Sequence, residues 1–456
     1  MAGDPDVIVV GASVAGCTAA ALFARAGARV LLLEKHSRIE TYKVLCTHTL
    51  QPCAVPVIDR LRLRPQLEAA GARPHVSNYW TPLSGWIAPK AAPGEALPHG
   101  FNLRRKVLDP MLRELAASTS GVELRLGQSV VALIEEDGRI VGVRTRASNG
   151  QETSLRARLV VGADGRDSTV AELAGATRKD APNHRFAYFG YFQDLQSGEH
   201  PPTQIWFLDP DGAYCMPNED GISVLIVAPK KTPEHLAAFR DDGEAAFRQF
   251  VRDLPDAPPI DDVPMVGKLI GMQDFSLRSR TANAPGLALI GDATLSTDPM
   301  WGIGCAWGML SASWLVDEVG PAALGEGGVG DLDRGLASYT ARHQAEIGGY
   351  QRLFESFATA RPLNPLERLM FGAAARDEVS ARHLYLFGSR LISVPDYIAP
   401  PAIARAVLAQ DELDVDTVLA DLRAIPHLDV DEISRLVAAG PPLVDVTGLA
   451  GYAASA

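Results

Sequence analysis

Three short segments place glycine, serine and acidic residues directly after apolar runs. In the first, Gly11-Ala-Ser13-Val-Ala15-Gly16, glycine permits a tight turn and small residues let the backbone approach a phosphate. A helix starting there would offer unpaired N–H groups to the same phosphate. Glu34 ends the next apolar run, and its carboxylate can bind a ribose but would repel a 2′-phosphate. We therefore predict an FAD or NAD site formed by Gly11, Ser13, Ala15, Gly16, Glu34 and Lys35.

The second and third segments have a similar form. Gly162-Ala-Asp164-Gly165 and Gly291-Asp292-Ala293 each follow an apolar run, although each alone is also typical of an ordinary turn. The Asp292 carboxylate could hydrogen-bond a ribityl chain, and a helix starting nearby could stabilise a reduced flavin, which is anionic near N1. The candidate cofactor-binding residues here are Asp164, Asp292, Pro299, Gly302, Ile303 and Gly304.

These motifs need buried strands to position them. Residues 6–10 form a β-branched apolar run, residues 15–26 are rich in alanine, and residues 29–34 are apolar again, which is typical of a βαβ unit. The second and third motifs also end buried runs of strand length, so all three predict strands of one parallel sheet. Residues 185–229 alternate polar and apolar side chains, which predicts an antiparallel sheet with one face in water.

Composition excludes several functional classes. Of 456 residues, 47 % are hydrophobic and 21 % are charged, which excludes wholesale disorder, and the net charge of −12 argues against a nucleic-acid or anionic-membrane partner. The apolar stretch at 7–24 follows an acidic start, unlike a secretory signal, so we expect a soluble cytoplasmic protein. The five cysteines form no CxxC pair, which predicts reduced thiols and no metal site. They are Cys17, Cys46, Cys53, Cys215 and Cys305.

The three motifs, in this order and at these separations, resemble those of the FAD-dependent monooxygenases of the para-hydroxybenzoate hydroxylase type, the group A flavoprotein monooxygenases. The resemblance covers residues 5 to about 355. It implies that Arg105, or Arg104 in the alternative register, reaches the FAD pyrophosphate and ribose, and that the main chain at Val130 contacts adenine. The chain departs from the family at Thr294, where histidine is common, and at Ala306, where asparagine is common.

The resemblance implies a fold and a division into domains. The expected fold class is α/β: a Rossmann-like FAD-binding domain with an inserted antiparallel-sheet substrate domain and a C-terminal helical segment. The FAD-binding domain would comprise residues 1–180 and 275–330, and the substrate domain residues 181–274 with contributions from 70–100. Residues 331–456 would form the C-terminal helical region.

The resemblance also implies a reaction. An enzyme of this type uses NAD(P)H and O2 to hydroxylate or epoxidise an apolar, aromatic or polycyclic small molecule through a flavin C4a-hydroperoxide, here in secondary metabolism. NAD(P)H would bind transiently, since no second dinucleotide motif is visible, and a homodimer or an external flavin reductase stays open. Geranylgeranyl-reductase-like enzymes share the scaffold, so the alternative is an FAD-dependent reductase or dehydrogenase of carbon–carbon bonds.

Candidate substrate and catalytic residues follow from where the flavin would lie. Lys43 could neutralise a reduced flavin or a substrate oxyanion, and His48 could relay a proton, whereas a solvated lysine and a structurally satisfied histidine are the alternatives. Flavin chemistry needs no acid–base triad, so the catalytic residues stay unknown beyond these two. The substrate-pocket candidates, for which plain packing roles also stay open, are Trp206, Tyr214, Met216, Met300 and Trp301.

Overall fold

The computed structural model describes residues 3–92, 94–196, 203–410, 414–442 and 444. Its strands within these residues are β1 (Val7–Val10), β2 (Val30–Glu34), β3 (Thr49–Leu50), β4 (Arg73–His75), β5 (Asn78–Thr81), β6 (Gly85–Ile87), β7 (Gly100–Asn102), β8 (Val122–Leu126), β9 (Gln128–Glu136), β10 (Arg139–Ala147), β11 (Glu152–Arg156), β12 (Leu159–Gly162), β13 (Arg178–Ala181), β14 (Ala187–Gln193), β15 (Gln204–Phe207), β16 (Gly212–Pro217), β17 (Ile222–Ala228), β18 (Ile270–Met272), β19 (Leu277–Arg280), β20 (Asn283–Ala284), β21 (Leu287–Leu289) and β22 (Leu295–Ser296).

The α-helices of the same residues are α1 (Val14–Arg25), α2 (Val55–Arg60), α3 (Arg64–Ala69), α4 (Arg105–Ser118), α5 (Thr169–Leu173), α6 (Pro233–Asp241), α7 (Gly243–Arg252), α8 (Gly304–Ala323), α9 (Val329–Ala358), α10 (Pro365–Ala374), α11 (Glu378–Gly388), α12 (Val394–Tyr397), α13 (Pro400–Leu408), α14 (Val415–Arg423) and α15 (Val430–Ala439). Short 3-10 helices cover Pro52–Ala54, Glu219–Gly221, Gly291–Ala293 and Pro299–Trp301. None of the described helices is both long and apolar enough to cross a bilayer.

A six-stranded sheet in the order β20-β21-β12-β1-β2-β8 forms the Rossmann-like core. Its strands pair in parallel from β21 to β8, and the edge pair β20–β21 is antiparallel. Strands β1, β2 and β12 are buried along their whole length, as their apolar sequences require of a sheet covered on both faces. The predicted α/β fold class is therefore confirmed.

Two apolar helices, α1 and α8, pack closely against each other on one face of this sheet. Small side chains at the contact make the approach possible, since a Cβ added at Gly308 of α8 would lie 3.4 Å from Cβ of Ala15 in α1. Helix α4 packs beside α1, and the long helix α9 packs beside α8. On the opposite face, the core includes buried side chains of β9 and β10, and α5 contacts β9.

A seven-stranded sheet in the order β18-β14-β17-β16-β15-β5-β6 stands beside this core and is antiparallel except where β15 pairs with β5. The prediction that one of its faces is in water is wrong. Strand β17 is buried on both faces, because Phe239 of α6 and Phe247 and Val251 of α7 cover the face that alternation alone assigned to solvent. The other face points toward the FAD-binding domain and forms part of its core.

The chain ends in helices, as expected for a C-terminal helical segment, and α10, α11 and α13 pack together. Aromatic contacts join this segment to the seven-stranded sheet, with the ring of Phe371 5.5 Å from that of Phe207. The domain boundaries at 180, 274 and 330 stay predictions. The parts of the three predicted domains that fall on 1–2, 93, 197–202, 411–413, 443 and 445–456 lie outside the described residues.

Candidate cofactor and substrate site

The three sequence motifs lie at one edge of the parallel sheet. Val10 in β1 is paired with Gly162 in β12, and Gly162 is paired with Leu289 in β21. The loops that follow these strands therefore begin side by side. This is the edge at which ligands bind in open α/β sheets, outside the carboxyl ends of the strands.

Two glycines of the first motif are required by close backbone approaches. Gly11 has a φ of +102°, and a Cβ at this position would lie 2.5 Å from the carbonyl oxygen of Ala163. A Cβ on Gly16 would lie only 1.8 Å from the carbonyl oxygen of Gly11. The first turn of α1 can therefore pack tightly on the end of β1 and leave its N-terminal end exposed to a ligand.

Glu34 closes β2 and fixes the shape of the first motif. Its Oε2 accepts a hydrogen bond from the N–H of Ala12 at 2.8 Å, and its Oε1 accepts one from the N–H of His36 at 3.0 Å. The carboxylate is buried in this position, beside the start of α1, while Lys35 next to it is exposed. Glu34 thus both shapes the turn and lies where the sequence predicts a ribose.

Arg105, and not Arg104, points to the first motif. Nη2 of Arg105 donates to Oγ of Ser13 at 2.5 Å, and its Nε and Nη2 donate to the two carboxylate oxygens of Asp109 at 2.7 and 3.0 Å. Both members of this ion pair are buried. Arg104 instead donates from its main chain and side chain to the Glu219 carboxylate. Of the two arginines, Arg105 is therefore the one that contacts the first motif, and its contact with the FAD pyrophosphate stays a prediction.

Asp292 forms an ion pair at the start of α8. Nζ of Lys43 lies 2.8 Å from Oδ2 of Asp292, and this carboxylate raises the pKa of the Lys43 ammonium. The main-chain N–H of Lys43 donates to Oδ2 of Asp109 at 2.9 Å, which ties the same loop to the Arg105 network. A Cβ at Gly304 would lie 3.6 Å from Oδ1 of Asp292, so this carboxylate adjoins the N-terminal end of the helix.

Two cysteines that the sequence did not connect meet beside this ion pair. The sulfurs of Cys46 and Cys305 are 3.7 Å apart, and Sγ of Cys46 also accepts from the N–H of His48 at 3.3 Å and from Nη1 of Arg105 at 3.7 Å. The hydrogen bond from Cys305, with help from the positive charge of Arg105, holds the pKa of Cys46 well below its ordinary value. The same hydrogen bond and burial raise the pKa of Cys305. Of the two thiols, Cys46 is therefore the more acidic.

His48 has both ring nitrogens engaged inside the protein. Its Nδ1 accepts from the N–H of Arg105 at 3.0 Å, and its Nε2 lies 2.7 Å from the hydroxyl of Tyr191. Because Nδ1 is an acceptor, the neutral ring carries its proton on Nε2 and donates it to Tyr191. Burial lowers the pKa of His48, which keeps the ring neutral. Because both ring nitrogens are hydrogen-bonded within the protein, the structure favours the interpretation of His48 as a structural histidine.

Asp164 of the second motif also turns its carboxylate inward. Oδ1 accepts from the hydroxyl of Ser168 at 2.5 Å, Oδ2 accepts from the N–H of Val170 at 3.0 Å, and burial raises the pKa of the carboxyl group. The side chain thus holds the loop between β12 and α5. Val130 is buried in β9, on the side of the sheet opposite α1.

The groups at this edge fit FAD. Ser13 makes no side-chain hydrogen bond to the first turn of α1, so the N–H groups there are available to a pyrophosphate. The Glu34 and Asp292 carboxylates, which we predicted for a ribose and a ribityl chain, both lie at this edge of the sheet. Gly302, with a φ of +58°, and Ile303 lead directly into α8, whose N-terminal end would face a flavin ring.

A small cavity adjoins the loop that leads into α8. Its volume is about 20 Å3, which is room for a single water. The apolar part of its lining comes from the seven-stranded sheet and from the 3-10 helix before Gly302, and includes Ile205, Phe207, Met216 and Met300. Helix α9 backs it through Phe354, whose ring stacks on that of Trp301 at 4.7 Å, and Gly388 and Arg390 close it from the C-terminal segment.

Four of the five predicted substrate residues line this cavity: Tyr214, Met216, Met300 and Trp301. Trp206 does not. Side chains alternate along β15, so its neighbours Ile205 and Phe207 face the cavity while Trp206 is fully buried on the far face. Its Nε1 donates to the carbonyl of Pro255 at 2.8 Å. We therefore remove Trp206 from the predicted substrate residues.

Sequence reasoning missed three contributors to the site. Asp109 joins it through an ion pair with Arg105 inside α4, and Cys305 through a tertiary contact with Arg105. Arg390 comes from a segment that carries no motif. One signal was available for Asp109, since it follows Arg105 at helical spacing i, i+4 and so forms an ion pair along α4.

The comparison with protein families agrees with this geometry. Residues 4–345 match the family described as FAD binding domain, and the chain belongs to that family. It is an FAD-dependent oxidoreductase by its family and by the enzymes to which it is similar.

Individual relatives differ in their reactions. The chain is 27 % identical over 358 residues to digeranylgeranylglycerophospholipid reductase 1 of Methanopyrus kandleri, covering 74 % of this chain and 84 % of that protein. Its fold is similar to p-nitrophenol 4-monooxygenase PnpA from Pseudomonas putida (20 % identity, TM-score 0.68, 85 % and 98 % of the two chains) and to the myxobacterial chondrochloren halogenase CndH (21 %, 0.67, 84 % and 97 %). The structural likenesses show the fold alone.

Proposed function

We propose that this protein is an FAD-dependent monooxygenase that uses NAD(P)H and O2 to hydroxylate or epoxidise a compact, ring-bearing small molecule. The observation that carries this proposal is the cluster of aromatic and apolar side chains beside Gly302, among them Phe207, Met300 and Trp301, at the point where a flavin ring would meet the N-terminal end of α8. Apolar surroundings exclude water from a reactive oxygen species, which a monooxygenase needs.

Some residues of the site would bind the cofactor, and others would orient the substrate. Arg105 and the start of α1 would hold the pyrophosphate, Glu34 the ribose, and Asp292 the ribityl chain. Hydride acceptance from NAD(P)H and activation of dioxygen are supplied by FAD when it is bound. The Lys43 ammonium and the end of α8 place positive charge where a reduced flavin is anionic. Trp301 and Met300 would position the substrate ring.

A second candidate is a reductase of carbon–carbon double bonds. It is favoured by the similarity to digeranylgeranylglycerophospholipid reductases, which extends over three quarters of this chain.

Labelled dioxygen separates the two candidates. Purified FAD-loaded protein is supplied with NADH or NADPH, 18O2 and a panel of mono- to tricyclic phenols and aromatic acids, and products are analysed by mass spectrometry. A monooxygenase incorporates one labelled atom and consumes NAD(P)H only in the presence of oxygen. Anaerobic NAD(P)H- or dithionite-driven saturation of a digeranylgeranylglycerophospholipid, with no labelled product from any panel compound, would overturn the proposal in favour of the reductase.

A further inference from the structure

Residues 37–47, which we call the strap, run along the cofactor edge from one end to the other. The strap begins shortly after Glu34, where the sequence predicts a ribose, and ends beside Gly302, where a flavin ring would meet α8. A Cβ at Gly302 would lie 3.6 Å from Oγ1 of Thr47. A dinucleotide that extends between these two points would therefore lie along the strap.

The main chain of the strap is hardly bonded to the rest of the protein. It forms no helix or strand, and within the described residues its one hydrogen bond between main-chain groups is internal, from the N–H of Thr41 to the carbonyl of Arg38 at 3.3 Å. The side chains of Tyr42 and Val44 are exposed. A segment with few main-chain hydrogen bonds and few buried side chains opens locally at a low cost in free energy. Side chains of neighbouring elements therefore have to hold the strap in place.

One face of α4 supplies most of these side chains. Arg105, Asp109 and Arg113 follow one another at the spacing i, i+4, so they lie on the same face of the helix. Arg105 contacts Ser13 of the first motif. Oδ2 of Asp109 accepts from the N–H of Lys43 in the strap at 2.9 Å. This face of α4 therefore contacts the first motif and the strap together.

Arg113 joins the first motif directly to the strap. Its Nε donates to the carbonyl of Ala12 at 2.7 Å, and its Nη1 donates to the carbonyls of Ile39, at 2.7 Å, and of Thr41. The side chain is 3 % exposed. Hydrogen bonds from a charged donor are stronger than those between neutral groups. A single buried guanidinium thus fastens the strap to the turn that would hold the pyrophosphate.

We infer that Arg113 is a positioning residue for the cofactor, which fastens the strap over the dinucleotide and so sets the rate at which FAD enters and leaves. Arg113 acts through the carbonyls of Ala12, Ile39 and Thr41 and needs no contact with FAD. The inference depends on the FAD site of the family alone, so it holds equally for a monooxygenase and for a reductase.

The test measures the kinetics of FAD exchange. Association is followed by stopped-flow fluorescence of FAD-free protein mixed with FAD, and dissociation by displacement of bound FAD with an excess of 5-deaza-FAD. In Arg113→Met we expect both rate constants to rise about tenfold or more, because each charged hydrogen bond is worth about that factor. Their ratio, the Kd, should change much less, since a strap that opens more often eases entry and exit alike.

Other results would overturn the inference. Faster dissociation with an unchanged association rate would mean that Arg113 contributes to affinity and not to the fastening of the strap. Unchanged values of both rate constants would show that Arg113 does not control exchange. Arg113→Lys, which keeps the charge but not the forked donors, should fall between the wild type and Arg113→Met.

The matched control is Arg25→Met. Arg25 also fastens main chain, since its Nη1 and Nη2 donate to the carbonyls of Arg60 and Leu61 at 2.7 and 2.9 Å. It lies at the C-terminal end of α1, whereas the cofactor edge is at the N-terminal end of that helix. Both FAD rate constants should match those of the wild type. Equal acceleration in Arg25→Met and Arg113→Met would assign the effect to general destabilisation and overturn the inference.

A second measurement leaves Arg113 in place, in case its variants fail to fold. The sulfurs of Cys46 in the strap and Cys305 in α8 are 3.7 Å apart, so diamide should join them in FAD-free protein. The two thiols form one S–S bond, and their two hydrogen atoms reduce the N=N bond of diamide to a hydrazine. Peptide mass spectrometry identifies the bond, and Cys305→Ser is the control that cannot form it.

A cross-linked strap cannot open, so FAD association should slow by about tenfold or more and recover with dithiothreitol. Cross-linked protein that binds FAD at the rate of the reduced protein overturns the inference. A pair that diamide does not join also overturns it, because the strap would then not lie against α8. These outcomes are separate from the labelled-oxygen experiment, whose result can remove the monooxygenase proposal while the role of Arg113 stands.

Discussion

The cofactor edge and the cavity beside Gly302 differ in whether the protein itself supplies hydrogen bonds to their polar side chains. At the cofactor edge, Glu34, Arg105 and Asp109 are bonded to other groups of the protein. Around the cavity, the Tyr214 hydroxyl of β16 and Nε1 of Trp301 have no hydrogen-bond partner among the described residues. The protein itself satisfies the polar groups of the first region, and it leaves some of those in the second region unsatisfied.

The difference has a physical reason. A dinucleotide is held largely by main-chain N–H groups and helix ends, and the side chains that shape those turns must be fixed beforehand. A substrate site gains selectivity when its polar groups are left unsatisfied until the right ligand arrives, since a wrong ligand then leaves them buried and unpaired. Substitutions should therefore destabilise the protein at the first region and not at the second.

The largest expected effect is at the buried ion pair. Arg105→Met leaves Asp109 buried without its cation and should lower the free energy of unfolding by about 3–5 kcal/mol, measured by urea denaturation of FAD-free protein. The control Arg156→Met breaks an exposed pair with Glu136 and should leave the midpoint unchanged. Equal effects of the two variants would contradict the contrast between the regions.

Cofactor retention should be the next most sensitive property. Glu34→Ala removes the proposed ribose contact and also frees the N–H groups of Ala12 and His36, so FAD affinity should fall by about 1.5–3 kcal/mol. Asp292→Ala should weaken FAD binding less, and Glu40→Ala, at an exposed position, should leave it unchanged. Fluorescence titration of FAD-free protein measures all three. Undiminished FAD binding in Glu34→Ala would show that the carboxylate does not touch the cofactor.

For a substitution at the cavity, we expect stability to rise and not to fall. Tyr214→Phe removes a buried hydroxyl that has no hydrogen bond, so the unfolding free energy should stay the same or rise by about 1 kcal/mol. Binding of the substrate should weaken at the same time. A destabilised variant with unchanged ligand affinity would mean that the hydroxyl serves the fold and not the ligand.

The smallest expected effect concerns Asp377, a carboxylate between α10 and α11 that is bonded to other groups of the protein. Burial alone would raise the pKa of Asp377, but hydrogen bonds from Arg405 and Ser380 outweigh it and lower the pKa to about 2. The pair therefore contributes above the unfolded-state value of 3.8, and its contribution disappears as the pH falls toward 2. Asp377→Asn should cost about 1 kcal/mol at pH 7 and about a third of that at pH 2.5, because the contribution is lost only as the pH falls through the folded-state pKa of about 2. If the cost of the substitution does not change with pH, the role of Asp377 is to cap the N-terminus of α11 and not to pair with Arg405.

Much of the cofactor edge could be predicted from local sequence. The turn after β1 needs glycine at Gly11 and Gly16 because backbone atoms approach within 2.5 Å of a Cβ position, and such requirements are visible in the residues themselves. The order of the three motifs was enough for the fold class and the cofactor. The resemblance limited the expected pyrophosphate-binding arginine to Arg104 or Arg105, and in the structure only Arg105 of these two contacts the first motif.

The cavity could be predicted only in part. Tyr214 and Met216 were found because alternate residues of one strand share a face, but Trp206, on a neighbouring strand, was placed on the wrong face because its phase depends on pairing with β5 and β16. Helices α6 and α7 cover the face expected to be wet, which alternation cannot reveal.

By itself the sequence determined the parallel sheet, its ligand-binding edge and the dinucleotide cofactor, because turns and helix starts are set by residues close together in the chain. Only the tertiary structure decided which side chains share an environment. Cys46 and Cys305 are 259 positions apart, and Arg390 donates to the carbonyl of Trp301 from 89 positions away. Such partners are determined by the packing of whole elements and are visible only once that packing is known.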